Sequence, residues 1–331
     1  MAAKMKDVAE RAGVAKATAS LVLNGKHESV GIAFETAQRV LAVAEELDYR
    51  PSAVARAFYH GKTNTLGYVC GSIQSAFFSE LAAMGMKEAQ LRGYHLLVSV
   101  TEWDREQEAK ALYSLIDRGV DGIIASVGLQ PGSRQHKFIH RECFPFVTLS
   151  GASPGTSTVL ADWDVGVRQM FAHLVSAGHK RIGTIVNMNT PCPRKSWRWE
   201  LCEQLAPEYG VELVVVQLET STRPAARALG QSLGKDMRGM TACFAFSDHV
   251  AASVMRGLAD VGVRVPDDIA VVGVDGTAMG AECIPSLTSI RQDSGKLMAA
   301  AVDLLTEKID NSDVPVRSVI LPTELIVRES A

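Results

Sequence analysis

The chain has 331 residues, more than one hydrophobic core usually holds, so we expect two or three domains. Its hydrophobic share of 47% and charged share of 21% are typical of a soluble globular protein, and no apolar run approaches the roughly 20 residues of a membrane span. We therefore expect no contact with a membrane. The first stretch, MAAKMKDVAE, leads into a charged helix without an apolar signal segment, which favours a cytoplasmic location.

The net charge of -3 hides an uneven distribution along the chain. Residues 1–62 hold nine Lys and Arg against seven Asp and Glu, whereas the remainder holds 25 against 30. This weak basic bias means that specific binding to nucleic acid would need placed contacts rather than bulk charge. The six cysteines include no C-x-x-C pair, so we expect buried thiols, no disulfide framework, no metal site and no cofactor.

The stretch MKDVAERAGVAKATASLVLN, residues 5–24, predicts two short helices joined by a tight turn. Val8 and Ala9 share an apolar face of the first helix, and Gly13 ends it because glycine adopts the left-handed conformation at little cost. The second apolar face begins at Val14 and continues through Ala19, Val22 and Leu23. This spacing is typical of a helix-turn-helix, whose second helix enters the DNA major groove; an ordinary helical hairpin is the alternative.

The outward face of the second helix offers side chains for base edges, and lysines nearby offer charge for phosphates. The predicted DNA contacts of this head are Lys4, Lys6, Lys16, Ala17, Thr18, Ser20, Leu21 and Asn24.

A third helix is predicted over residues 34–47, with Val40, Leu41, Ala44 and Leu47 on one apolar face that closes a small core. In the following YRPSAVARAFYHGKTNT, Pro51 suits a helix start, and residues 52–58 have high helix propensity. Such a short helix is not stable by itself. We therefore expect it to need a partner, such as a second protomer and DNA.

From residue 66 onward, apolar β runs alternate with amphipathic helices. This alternation predicts parallel sheets covered on both faces, and eight strands over this length suit two doubly wound subdomains with a ligand cleft at the carboxyl ends of the strands. The predicted strands are LGYVCGSI, YHLLVSVT, DGIIAS, FPFVTLS, RIGTIVNM, ELVVVQLE, TACFAFSD and IAVVGVDG, and the predicted helices span residues 78–92, 105–118, 165–178, 196–208, 224–235 and 249–262.

Several long motifs, in order, resemble the LacI/GalR family of bacterial transcription regulators: MKDVAERAGVAKATAS, YRPSAVARAF, TNTLGYV, SAGHKRIG, GVRVPDDIAVVGVDG, LTSIRQ and LPTELIVRES. The resemblance covers essentially the whole chain. It implies an all-α helix-turn-helix head (residues 1–50), a hinge helix and linker (51–65) and an α/β core (66–331) with the fold of periplasmic binding proteins. Its first subdomain would take residues 66–162 and 292–322 and its second 163–291 and 323–331, with crossovers near Asp162, Arg291 and Pro322.

The same resemblance assigns DNA contacts residue by residue. Lys16 and Ala17 match the family's main sequence-reading positions. Leu21 stands where many members have a basic residue, so readout there should be apolar or absent. In the hinge, Arg56 joins the predicted DNA contacts, and Phe58 matches a leucine wedge that enters the minor groove. The alternative is that Phe58 packs against the core.

The head also departs from the family pattern in one loop. GKHESVGIAF runs about two residues longer than that pattern. Ala33 stands there in place of a helix-capping serine, a loss of about 1 kcal/mol unless another residue caps.

Ligand contacts implied by the resemblance lie in the cleft. Phe77 and Phe78 match an aromatic pair, Arg198 a ligand-holding arginine, and Asp248 an aspartate that accepts hydrogen bonds from the ligand. The phenylalanines could instead be core, and Asp248 could cap its helix. Departures include Trp163 in place of an asparagine, with aromatic surface that could stack on a ring or fill core space. The full predicted set is Phe77, Phe78, Trp163, Arg198, Asp248 and Asp275.

The resemblance implies a homodimeric repressor that binds a pseudo-palindromic double-stranded operator, with tetramers as a further option, and a small polar effector, either a sugar or a nucleoside-like or purine-like molecule. Two other classes compete with this interpretation. A binding protein of the same core fold would sense or carry a small molecule without DNA, but it would lack residues 1–60. An enzyme would need a site, and the sequence has no dinucleotide fingerprint, phosphate loop, nucleophile elbow or H-E-x-x-H motif.

Overall fold

The computed structural model describes residues 3–49, 61–151, 155–187 and 197–331, except the side chains of residues 197 and 198. These residues form two compact units. One runs through Thr65 and includes Gly119–Asp121, and the other contains the rest of the chain. The predicted hinge helix, with Arg56 and Phe58, lies outside the described residues. Within the described ranges, no helix has the length and apolar character to cross a membrane.

The N-terminal unit contains three helices, α1 (Met5–Ala12), α2 (Lys16–Leu23) and α3 (Phe34–Glu46). The carboxylate of Asp7 accepts a hydrogen bond from the backbone N–H of Lys4 at 2.7 Å, which closes the start of α1. Gly13 ends the helix in the predicted left-handed conformation, with φ 66°. The three helices bury a shared core of small apolar side chains: Val8, Ala9, Ala12, Ala19, Val22, Ala37, Val40 and Ala44.

The apolar face of α3 differs from the prediction at one position. Leu41 is 47% exposed, whereas Ala37 is buried beside Val40 and Ala44. Successive residues of a helix are rotated by about 100°, so Leu41 lies well away from the buried face that carries Val40. Three small side chains also bring α3 closer to α1 and α2 than a leucine would allow.

The larger unit holds two six-stranded sheets, ordered β11-β5-β4-β3-β1-β2 and β12-β10-β9-β8-β6-β7. Its strands are β1 (Thr65–Cys70), β2 (His95–Val100), β3 (Gly122–Ala125), β4 (Phe146–Thr148), β5 (Ser157–Asp162), β6 (Arg181–Asn187), β7 (Glu212–Leu218), β8 (Ala242–Phe244), β9 (Ala270–Asp275), β10 (Thr288–Arg291), β11 (Ser318–Pro322) and β12 (Glu324–Ile326). Its helices are α4 (Ala76–Leu91), α5 (Arg105–Asp117), α6 (Arg134–Arg141), α7 (Trp163–Ser176), α8 (Trp197–Leu205), α9 (Arg223–Lys235), α10 (Asp248–Asp260), α11 (Ala278–Glu282) and α12 (Ser294–Asp310), with a 3-10 turn at Ala206–Tyr209.

We name the β1-containing sheet and its helices the first subdomain, and the β6-containing sheet and its helices the second. Within the first, β1 pairs in parallel with β3, β3 with β4, β4 with β5, and β5 with β11. In the second subdomain, one of the described strand pairs is antiparallel, the pair formed by β12 and β10. This architecture confirms the predicted pair of doubly wound parallel-sheet subdomains.

All eight predicted strands are present, but the sequence analysis omitted four strands and three helices. The omitted strands are β5, β10, β11 and β12, and the omitted helices are α6, α11 and the 17-residue α12. All four of these strands flank crossings between the sheets. β10, β11 and β12 are short or expose alternate residues, and so lack the continuous apolar run of a central parallel strand.

The chain crosses between the two sheets three times. β5 of the first sheet ends at Asp162 and leads into α7, which packs on the second sheet. The chain returns after Arg291 and crosses again between Pro322 and Glu324. Thr323 joins two of these crossings, because its hydroxyl donates to the carbonyl of Asp162 at 2.6 Å and accepts from the N–H of Gly166 at 3.1 Å.

Helices α9 and α10 of the second subdomain pack through two glycines. A side chain at Gly230 would collide with the backbone carbonyl of Val254, and one at Gly257 would collide with the carbonyl of Arg227. The two backbones are therefore in direct contact at this point, which neither helix could tolerate with a Cβ atom.

Candidate functional site

The first turn of α2 presents the predicted reading residues to solvent. Lys16 and Ala17 are exposed, whereas Thr18, Ser20 and Leu21 are half-buried along the same helix. Ala19 and Val22 point into the core and fix which face is outward. The head thus presents one free helix face that begins with a lysine.

The end of α2 is closed by one of the predicted DNA contacts. The side-chain amide of Asn24 donates to the carbonyl of Ser20 at 2.8 Å and lies 3.3 Å from its hydroxyl. Both side chains are therefore engaged with each other, and the Asn24 amide adds a second donor to the Ser20 carbonyl, which also accepts the backbone N–H of Asn24 at 3.1 Å.

Two predicted phosphate contacts, Lys4 and Lys6, lie at the start of α1, where both are exposed. The ammonium of Lys6 lies 3.3 Å from the carboxylate of Glu10, one turn along the helix. This exposed pair is weak, so Lys6 can exchange its partner for a phosphate at little cost.

Two arginines that the sequence analysis did not single out hold the head together. Arg39 of α3 donates from Nε to the carbonyl of Ala12 at 2.9 Å, at the end of α1. Arg11 of α1 forms an ion pair with Glu46 at the other end of α3. These contacts join residues 27 and 35 positions apart, which explains why local pattern did not predict them.

In the first subdomain, an aromatic cluster lies at the carboxyl ends of β1 and β2. Its members are Phe77, Phe78 and Trp103. The ring of Phe78 contacts two other rings edge-on. Its centroid lies 5.4 Å from that of Phe77 and 5.1 Å from that of Trp103. Phe77 is 8% exposed and packs in the core, so the structure places it where the alternative interpretation did.

Trp103 is a member of this cluster that the sequence analysis missed. It is 41% exposed and has a left-handed backbone, with φ 61°, as has Glu102 with φ 49°. The ring lies directly over Gly71, where any side chain would collide with it. Two consecutive left-handed non-glycine residues after a strand are costly, and such strain concentrates at functional sites.

In the second subdomain, Asp275 ends β9 with a backbone that side chains rarely adopt, at φ 106°. Its carboxylate accepts a hydrogen bond from the side-chain amide of Gln292 at 2.9 Å. The next residue, Gly276, also has positive φ and donates its N–H to the hydroxyl of Ser289 at 3.0 Å. The turn after β9 is therefore held in a strained, fully bonded form.

Asp248 is buried and bonded within the fold. It is 1% exposed, and its two oxygens accept hydrogen bonds from the Thr277 N–H at 2.7 Å, the Thr277 hydroxyl at 2.8 Å and the Ser289 hydroxyl at 2.5 Å. Burial raises the pKa of this carboxyl, and these hydrogen bonds act in the opposite direction. The carboxylate does not cap its own helix. It fastens the start of α10 to the turn after β9.

A polar group surrounds the start of α10 on the other side. The amide of Asn187 donates to the hydroxyl of Ser221 at 2.6 Å. One ring nitrogen of His249 lies 3.1 Å from the Ser247 hydroxyl, and the other lies 3.2 Å from the Ser221 carbonyl. Burial lowers the pKa of His249, so this imidazole favours its neutral form. These residues follow β6, β7 and β8, and sequence position alone did not bring them together.

The remaining predicted ligand residues differ in what the structure shows of them. Trp163 is 9% exposed and packs in the core of the second subdomain, which corresponds to the space-filling alternative. Arg198 lies in the first turn of α8, but its side chain is outside the described residues.

The two subdomains meet near these sites. A carboxylate oxygen of Glu80 on α4 accepts a hydrogen bond from the N–H of Ala278 at the start of α11, at 3.3 Å. This contact joins the helix that carries the aromatic cluster to the segment after Asp275. The contact brings elements at the carboxyl ends of both sheets together, and open parallel sheets usually bind ligands at that end.

A helix-turn-helix head followed by a two-subdomain core with a polar and aromatic cleft defines a ligand-responsive DNA-binding regulator. Comparison with known proteins gives the family. Residues 4–52 match the model of bacterial regulatory proteins of the lacI family, and residues 171–331 match a periplasmic binding protein-like domain. The chain is 31% identical to the ribose operon repressor of Halalkalibacterium halodurans, over 98% of this chain and 96% of that protein. It therefore belongs to the LacI family, and it is a transcriptional regulator rather than an enzyme.

Two further comparisons agree. The chain is 29% identical to the HTH-type transcriptional repressor PurR of Mannheimia succiniciproducens, over 99% of this chain and 98% of that one. The solved structure of the lac repressor dimer bound to operator and the anti-inducer ONPF superposes with a TM-score of 0.86 at 24% identity, covering 100% of this chain and 99% of that chain. This second likeness supports the fold. A binding protein without DNA binding does not fit a chain that carries the lacI-family head.

Proposed function

We propose that this chain represses transcription in the cytoplasm, binding a pseudo-palindromic operator as a homodimer under the control of a small polar effector. Two copies of the head would place two α2 helices in successive major grooves, one in each half-site. The dimeric arrangement in the lac repressor complex supports this assembly. The effector would bind at the carboxyl ends of the two sheets and shift the angle between subdomains, a coupling typically of about 1 to 3 kcal/mol.

For the head, we assign base reading to Lys16 and Ala17 because both are exposed at the first turn of α2. A lysine donates to guanine, and an alanine methyl contacts a thymine methyl. Leu21 is half-buried one turn later and adds an apolar contact. Lys4 and Lys6 are assigned to phosphates. Asn24 and Ser20 serve first to close the helix, since their side chains are bonded to each other.

For the effector, the observation that carries the proposal is Asp275, held at φ 106° with its carboxylate against Gln292. A protein that maintains this strain gains a carboxylate and an amide side by side, which together accept from and donate to a pair of adjacent hydroxyls. Across the cleft, Phe78 and Trp103 offer ring faces or edges to the apolar side of a sugar. A sugar with vicinal hydroxyls therefore fits better than a purely apolar ligand.

The name of the ribose operon repressor relative supports a sugar, and a nucleoside shares the same vicinal hydroxyls with an added base. The two effector classes differ in how much aromatic stacking they need.

Asp248 is reassigned in this proposal. Because the hydrogen bonds that it accepts come from Thr277 and Ser289 within the fold, its contribution is to position the turn that carries Asp275.

A thermal-shift screen of pentoses, hexoses, nucleosides and purines on the full chain tests the effector assignment. The best ligand is then titrated against Asp275→Asn, which tolerates the backbone conformation but loses the acceptor pair. Asp267→Asn is the matched control, because Asp267 is exposed and pairs only with a neighbouring arginine in the described contacts. We expect at least a tenfold loss of affinity in the first variant and none in the second.

Operator binding, measured with and without that ligand, tests the repressor assignment separately. A change in operator affinity on adding ligand is the expected result, and its loss in Asp275→Asn should accompany intact operator binding without ligand. A ligand that stabilises wild type and Asp275→Asn equally would remove Asp275 from the site.

A further inference from the structure

Helix α6, between β3 and β4, carries two histidines one turn apart. The Nε2 atoms of His136 and His140 lie 3.1 Å from each other, and the ring centroids are 4.2 Å apart. Both rings are half-buried. In the absence of a metal, one Nε2 must carry a hydrogen and donate it to the other. This pair takes no part in the DNA-binding or effector sites described above.

The distance between the two nitrogens suits a shared metal ion. With Zn–N bonds of about 2.0 to 2.1 Å, nitrogens at this separation subtend an angle of roughly 95 to 100° at the metal. This angle lies between the octahedral and tetrahedral values, so a rotation that opens the pair by a few tenths of an ångström gives tetrahedral Zn²⁺. Two histidines at i and i+4 on one helix face are a known arrangement for zinc.

We propose that His136 and His140 form a two-ligand site for a divalent transition-metal ion, with Zn²⁺ as the ion bound. The imidazole whose Nε2 carries the hydrogen would bind as its other tautomer, with that hydrogen on Nδ1, so that both Nε2 lone pairs face the metal and water completes its coordination. Imidazole nitrogen suits Zn²⁺, Cu²⁺ and Ni²⁺ but not Mg²⁺ or Ca²⁺, so the site should discriminate between these classes. The described residues hold no group of three or more metal-binding side chains, which limits the protein ligands to these two.

Neighbouring residues hold the ring of His140 in place, and the adjacent basic residues lie off the helix face that carries His136 and His140. Gly155 lies against the imidazole of His140, where a Cβ atom would come within 2.5 Å of the ring. Lys137 and Arg141 each follow a histidine by one residue and so lie about 100° further round the helix. Arg141 is also paired with Glu142 at 2.6 Å.

A metal here would act on a short helix. α6 has eight residues, and Ile139 is its buried one. Its other side-chain packing includes an edge-on contact between Phe138 and Tyr113 of α5, at 6.2 Å. Because short helices are marginal, a bridge across one turn would stabilise α6 and the connection from β3. The expected effect is on stability and not on DNA recognition.

The experiment uses full-length protein carrying no histidine tag and freed of metal by chelator. Zn²⁺ binding is measured by calorimetry, and Cu²⁺ is used separately for electron paramagnetic resonance, in which nitrogen ligands give hyperfine splitting. The variants are His136→Ala, His140→Ala and the double variant, with His95→Ala, an exposed histidine on β2, as the matched control. Cys143→Ser is included because this thiol is exposed, contrary to the predicted buried thiols, with its sulfur 3.8 Å from the carbonyl of His140.

We expect one Zn²⁺ per chain in wild type and in His95→Ala, and splitting from two nitrogens with Cu²⁺. Each single α6 variant should bind about a hundredfold more weakly, as does a chelate that has lost one arm. The double variant should bind at least as weakly as either single variant. Unchanged Zn²⁺ affinity in the double variant, or loss of binding in Cys143→Ser alone, would overturn the site and leave His136 and His140 as a hydrogen-bonded pair.

Discussion

The carboxylate of Asp248 receives both hydrogen-bond donors of Thr277, the backbone N–H at 2.7 Å and the hydroxyl at 2.8 Å, through the same oxygen. Asp248 begins α10, and Thr277 lies two residues after Asp275. The pair therefore joins two segments that border the cleft. A residue that resembles a ligand contact in sequence is, in the fold, bonded to the turn that follows Asp275.

Asp248→Ala should lower stability and leave the intrinsic ligand contacts in place. Three buried donors, two on Thr277 and one on Ser289, would lose their acceptor, and we expect a cost of about 2 to 4 kcal/mol. Chemical denaturation of wild type and variant measures it, with Asp267→Ala as the exposed control. A variant as stable as wild type that no longer responds to effector would return Asp248 to the ligand site.

The ionisation of Asp248 gives a prediction for pH. Burial raises the pKa of this carboxyl above its unfolded value, so the folded state favours the protonated form. The stability that this group contributes is thus fully present below the unfolded pKa of about 3.9 and is lost as pH rises through the folded pKa. Asp248→Asn does not ionise and should lack this loss.

The unfolding free energies of Asp248→Asn and wild type should therefore change relative to each other across the acidic range, with the variant gaining as pH rises. Denaturant titrations at intervals from pH 3.5 to pH 7 measure this difference. Two curves that stay parallel would show that the folded and unfolded pKa values of Asp248 are the same.

The sequence predicted the parts of the fold whose signal is local. The eight predicted strands are rich in apolar residues, and the turn at Gly13 needs a left-handed residue, so both are visible without tertiary information. Helix α12 has a clear apolar repeat, including Leu297, Ala301 and Leu304, but lies between strands too short to mark its position. The helix was not predicted because the strands on either side of it were not recognised, although its own apolar repeat is clear.

The site was less predictable, because its contacts join residues far apart in sequence. Asp248 meets Ser289 across 41 positions, and Trp103 covers Gly71 from the next strand. Nothing near Asp248 in sequence shows that its oxygens are already bonded. A tryptophan in a polar stretch after a strand was the one available signal for Trp103.

Lys16→Ala should weaken operator binding by about 1 to 3 kcal/mol, because an exposed lysine at the first turn of α2 is placed to donate to a base. Preference should relax at one position in each half-site, and affinity for random DNA should change little. Lys110→Ala, on the exposed face of α5, is the control. Fluorescence anisotropy at one fixed salt concentration makes the comparison, and equal loss on both DNAs would reassign Lys16 to a phosphate.

Ala33→Ser should stabilise the head by about 1 kcal/mol. Ala33 is the N-cap of α3, with extended backbone and no side-chain hydrogen bond to the helix, and a serine hydroxyl would accept from one of the open N–H groups. Hydrogen exchange of the α3 amides measures the change, with Ala33→Val as a control that cannot cap. Unaltered protection in Ala33→Ser would mean that water already satisfies those groups as well as a hydroxyl does.

The contact between Gly230 and Gly257 makes α9 and α10 a single rigid unit. With carbonyls of each backbone against the α-carbons of the other, neither helix can slide or rotate without a collision. The amino end of α10 carries Asp248 and His249, so a displacement of that end would move α9 as well. The arginines along these two helices, Arg223, Arg227 and Arg256, would move with it, and so would the positive charge that they carry.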